Sequence, residues 1–153
     1  MDLLKEVNMI DAMSKTEIRE YAKEKAVNLM SFFSILHEDS NVFENYGLDP
    51  VEFFVKLCFA CISSNEKGSK EEYDLFKELT CDYANELTFN KFKEIVKQID
   101  IIRLATIVDK FVDVIGEQVI EAKHEIVRFC LCFIAIDGKI SDGELTFINM
   151  LAS

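Results

Sequence analysis

A single proline, Pro50, and five glycines are all that interrupt 153 residues of which 50% are hydrophobic, so helices meet few obstacles along this chain. A turn-rich β protein needs many more such breaks. The helix starts, by contrast, are written out. Ser14-x-x-Glu17, Ser69-x-x-Glu72 and Ser141-x-x-Glu144 are capping boxes, in which a Ser hydroxyl and a Glu carboxylate satisfy backbone N–H groups of the first turn that have no partner within the helix. Asp49-Pro50-x-Glu52 offers an N-cap, a proline at the first helical position and an acid in the first turn.

The patterning predicts a helix from Ser14 to about Met30, broken before Phe32, with 41–47 read as a loop. Further helices are expected from Asp49 to about Ser63, from Ser69 past Leu79, and from Thr88 to about Ile99. The last three are expected from Asp100 to Gly116, from Glu117 to Ile136, and from Ser141 to the end. Gly47, Gly68, Gly116 and Gly138 fall at these breaks, Gly116 suiting a left-handed residue past a helix end. The expectation is an all-α, single domain of seven or eight helices.

Asp and Glu outnumber Lys and Arg by 28 to 17, a net charge of −11. Such a surface repels phosphate backbones and anionic headgroups, and no basic patch offsets it, so nucleic acid is not an expected partner. Cations or basic proteins are. The longest apolar run, Phe129 to Ile136, falls far short of the ~20 residues of a membrane span, so no direct membrane insertion is expected. The N-terminus lacks the basic and apolar regions of a signal peptide, and the five cysteines lie mostly in apolar stretches, which points to a reduced, cytoplasmic protein.

Sliding the chain by 72 residues aligns Val55–Leu79 with Val127–Leu151 without a gap. Seven positions are identical: Val55/Val127, Cys58/Cys130, Ile62/Ile134, Lys67/Lys139, Ser69/Ser141, Glu72/Glu144 and Leu79/Leu151. Each copy reads as a buried helix, a polar turn, a capping box and an amphipathic helix. An internally duplicated helix-turn-helix follows, with repeat halves at about 49–80 and 117–151 and an N-terminal helical region over 1–48.

The second copy contains Ala135-Ile-Asp137-Gly138-Lys-Ile140-Ser-Asp142-Gly-Glu144, which resembles the A-x-DG-x-I-x-x-x-E signature of the TerB-like tellurite-resistance family. In the first copy Asn65 and Glu66 replace the Asp and Gly of the signature, and only Glu72 is retained. The resemblance covers about 49–151. It implies a non-catalytic protein of tellurite or metal stress response that binds a divalent cation through acidic residues of the motif and works with protein partners in a membrane-associated stress complex. Because Asn65 is a neutral amide, the second copy would carry most of such binding.

Two readings of the acidic turn stand beside each other. In one, Asp137-Gly138 is a turn, Ile140 a plug between two helices, and Glu144 a capping residue only. In the other, Asp137, Asp142 and Glu144, with the repeat-equivalent Glu72, hold Ca²⁺ or Mg²⁺, hard cations that take several oxygen ligands. An EF-hand is excluded, because counting from Asp137 puts Lys139, Ser141 and Asp142 at positions 3, 5 and 6 and Ile148 at 12.

Cys58-x-x-Cys61 has a metal-binding or redox spacing but no second pair of matching ligands, and with Cys130 and Cys132 it reads as core packing. His37 and His124 have no adjacent nucleophile, and no phosphate-cradling glycine loop exists, so an enzyme is not expected. The Phe-rich stripes read as core, with a partner-binding groove as the second possibility. A structural interaction module without metal, its acidic surface recruiting a basic partner, is the competing function.

Overall fold

The computed structural model describes residues 1–64, 68–80, 86–138 and 140–153. Nine helices and no strand lie among the described residues: α1 (Leu3–Asp11), α2 (Lys15–Asp39), α3 (Val42–Asn45), α4 (Pro50–Ser63), α5 (Lys70–Leu79), α6 (Phe89–Gln98), α7 (Ile101–Gln118), α8 (Ile120–Ala135) and α9 (Asp142–Ala152). The all-α expectation holds, and the count of seven or eight is corrected upward.

Local chemistry accounts for the differences. Asp2 accepts a hydrogen bond from the Lys5 backbone N–H and opens α1, a helix the sequence reading left out. No glycine or proline lies within α2, and it runs unbroken through Met30 to Asp39. The segment read as a loop contains the single turn α3, whose Phe43 is fully buried. Gly116 is not a helix end: α7 continues to Gln118, and a Cβ on Gly116 would lie 2.8 Å from the Lys123 Cδ. That glycine serves the close passage of the Lys123 side chain. The break comes at Val119, an extended residue that closes α7 and opens α8 without a side-chain cap.

All three expected capping boxes form with both reciprocal bonds, at Ser14/Glu17, Ser69/Glu72 and Ser141/Glu144. Asp49, Thr88 and Asp100 cap α4, α6 and α7. Gly47 and Gly138 have φ of 64° and 129°, conformations that L side chains disfavour, so these two glycines are required by the backbone.

Helix α8 runs through the middle of the molecule, packed by α1, α2, α4, α5, α7 and α9, and its stretch from Phe129 to Ile136 is buried. That explains why the longest apolar run is a core helix. Phe33, Phe43, Phe53 and Phe111 make one aromatic cluster, with Phe53 and Phe111 ring centres 4.4 Å apart. Phe59, Tyr73, Phe76, Phe89 and Phe92 make another between α4, α5 and α6. Most of the Phe-rich stripes are thus core. No helix among the described residues is long and apolar enough to cross a membrane.

A polar knot ties α1 and α2 to α8. Glu125 accepts hydrogen bonds from Lys25 at 3.2 Å, Asn28 at 3.1 Å and Arg128 at 2.8 Å, and Arg128 also donates to Glu6 at 3.2 Å. Burial opposes the charge on Glu125, but these donors outweigh it and hold its pKa below the usual carboxylate value.

Candidate cation site between two capped helix starts

Helices α4 and α8 pack against each other, and α5 and α9 start just beyond their ends. The ends of the two arms are drawn close. A Cβ on Gly143, in the first turn of α9, would stand 3.1 Å from the Ser64 backbone oxygen at the end of α4. The Cys61 thiol on α4 is within electrostatic reach of Cys130 on α8 and of both Glu72 and Glu144. The two glutamates, from different arms, therefore both act on the same thiol electrostatically.

Glu72 is 0% exposed and Glu144 is 1% exposed. One oxygen of each is used locally. Glu72 Oε1 accepts from the Ser69 N–H at 3.1 Å and the Ser69 hydroxyl at 3.0 Å. Glu144 Oε1 accepts from the Ser141 N–H at 2.8 Å. Glu72 Oε2, however, is buried with no hydrogen-bond partner among the described residues. Burial, followed by the negative charges of Asp137 and Glu144, pushes the Glu72 pKa up to about 8, against the lowering effect of the Ser69 hydrogen bonds. At pH 7 this carboxyl is mostly protonated.

Of the residues singled out in the sequence, the structure thus brings Asp137 and Glu144 into electrostatic reach of Glu72. Asp137 is half-buried in the turn after α8, held there by the positive φ of Gly138, and Ile140 packs against the core. Asp142 is exposed at the start of α9, where its backbone oxygen accepts from Thr146. Asn65, Glu66, Lys67, Cys81 and Lys139 lie outside the described residues. Among the described residues no three His, Cys, Asp or Glu side chains are arranged to hold a metal ion as they stand.

The other candidates fall elsewhere. Cys58, Cys61, Cys130 and Cys132 are free and buried, and burial pushes the thiols of Cys58, Cys61 and Cys132 up, which makes poor nucleophiles of them. His37 is exposed with its ring edge-on to Phe43, and His124 lies 3.6 Å from Glu121.

Sequence reasoning found both glutamates but not that the charge of one reaches the other, nor that either is sealed from water. The identity of Glu72 and Glu144 at equivalent positions was the available signal. The Lys25–Glu125 pair had none, since its members are a hundred residues apart. No protein-family model, curated protein or solved structure matches this chain.

Proposed function

We propose that this protein is a non-enzymatic, TerB-like binding protein of the tellurite or metal stress response. It is built on a duplicated helix-turn-helix, and Glu72, Asp137 and Glu144 take up a divalent cation such as Ca²⁺. One observation carries the reading: Glu72 Oε2 is buried with no hydrogen-bond partner among the described residues, in the field of two further carboxylates. An unsatisfied buried carboxyl is costly, and a hard cation satisfies it while relieving the repulsion among its neighbours.

As the side chains stand the carboxylates do not form a ligand set, so the ion draws them together, with Asp137 in the turn making the larger movement. Water fills the remaining positions. Asp142, exposed two residues before Glu144, supplies charge and not a ligand. Recruitment of a basic partner, the competing reading of the acidic surface, uses other residues, on α2.

Calorimetric titration with Ca²⁺, Mg²⁺ and Zn²⁺ tests the cation reading. Binding of Ca²⁺ or Mg²⁺ that Asp137→Asn removes supports it; no heat with any of the three overturns it. The stress-response part is tested separately, by whether production of the chain raises the tellurite concentration that a sensitive bacterium survives.

A further inference from the structure

One outward stripe of α2 is unlike the rest of the surface. Glu17, Glu20, Glu24, Val27, Ser31 and Ser34 follow one another at alternating spacings of three and four, and every one is exposed. This is the spacing of a seam that a second helix packs against. Its C-terminal half, with Ile35 beside it, lines a groove of about 840 Å³ whose floor is Ala26, Met30, Phe54 and Leu79 and whose far wall includes Val51. Val27 and Ile35 are 67% and 55% exposed, a large apolar area to leave facing water. The N-terminal half lines an adjoining depression that shares Lys23 and Val27 with the groove and also contains Met13, Glu17, Glu20, Tyr21 and Glu24.

The charge along this trough is mostly negative. Its lining holds Glu17, Glu20, Glu24 and Glu78 against a single cation, Lys23, which is already paired with Glu20 and Glu78. From Glu17 to Ile35 the stripe runs about 27 Å at 1.5 Å per residue, the length of a partner helix of about 18 residues.

We propose that this trough is the docking site for a basic amphipathic helix of another protein, which lays apolar residues on Val27, Ile35 and Val51 and sets Lys or Arg against Glu17, Glu20 and Glu24. A second copy of α2 fits poorly: parallel pairing sets glutamate against glutamate, and antiparallel pairing sets glutamate against Val27 and Ile35. An anionic membrane surface is repelled by the same glutamates.

The test uses an 18-residue synthetic peptide of Leu and Lys at helical spacing, its Leu/Glu counterpart, and the full chain. Fluorescence anisotropy is expected to give binding of the Leu/Lys peptide only, weakening as salt rises, with amide shifts in NMR spectra centred on Val27 to Ile35. Substitution of two exposed anchors without change of charge, Val27→Asn with Ile35→Asn, is expected to lower affinity about tenfold or more. Glu20→Gln with Glu24→Gln is expected to flatten the salt dependence. Equal binding of the Leu/Glu peptide, unchanged affinity in the Asn variant, or shifts elsewhere on the native protein overturns the proposal. So does a dimer in sedimentation that the Asn variant abolishes, which assigns the trough to a second copy.

Discussion

Glu72 and Glu144 hold the same station in two different helices, each the third residue after a capping serine, and both are sealed from solvent and within electrostatic reach of the Cys61 thiol. Exposed capping glutamates give a helix start a modest gain. Here both are buried, and with Asp137 adding to the field on Glu72, the raised Glu72 pKa makes the junction of the two arms sensitive to protons.

The first consequence is a pH dependence. The Glu72 pKa is raised from an ordinary 4.5 to about 8, so the folded protein keeps a proton that the unfolded chain releases. Its contribution to stability is full below about pH 4.5 and is lost as pH rises through 8. Glu72→Gln mimics the protonated form. Thermal unfolding between pH 6 and 9 is expected to show the midpoint of the native protein falling by several degrees more than that of the variant; parallel curves would contradict the raised pKa.

Glu125 behaves in the opposite sense. Its pKa is depressed in the fold, so its contribution is present above the ordinary carboxylate value and is lost as pH falls through the folded pKa. Glu125→Ala leaves Lys25 without its salt bridge and Arg128 with Glu6 alone. A loss of about 2–3 kcal/mol is expected in urea unfolding at pH 7, below the cost of breaking a fully buried pair because Arg128 keeps some contact with water.

Gly138 sets the turn that carries Asp137. At φ 129° any other side chain is strained, although an added Cβ would meet nothing within 4 Å, so the penalty is one of backbone conformation alone. Gly138→Ala is expected to lose about 1–2 kcal/mol of stability in urea unfolding. Gly138→Asn is expected to lose about as much, because φ 129° lies outside the left-handed helical region that Asn tolerates.

Cys58, Cys61, Cys130 and Cys132 are expected to resist iodoacetamide in the native state and to react together on unfolding, measured by mass spectrometry in a Cys81→Ser background. Rapid native alkylation of Cys58 and Cys61 would restore the redox reading of their spacing.

Much of this was legible because helix starts are local. A capping serine, an N-cap Asp49 and the Pro50 that follows act within one turn, and each appears where its residues predict. Ends without such chemistry were not legible. The α7–α8 junction at Val119 is fixed by packing, and Gly116 served the neighbouring Lys123 side chain, not the break it was taken to mark. The candidate site was half legible for the same reason. Glu72 and Glu144 are found by their serines, but their burial, the field of Asp137 across the two arms, and the apolar trough on α2 arise only once distant helices pack.

The proposed cation would have to displace the proton that Glu72 holds. At pH 7 Glu72 is mostly protonated and must release its proton to become a ligand. Calorimetric titration with Ca²⁺ at pH 7, in two buffers of different ionisation enthalpy, measures that release. The expected result is close to one proton freed per ion bound by the native protein, and neither proton release nor comparable affinity in Glu72→Gln. Absence of binding, or binding without proton release that Glu72→Gln leaves intact, would contradict it.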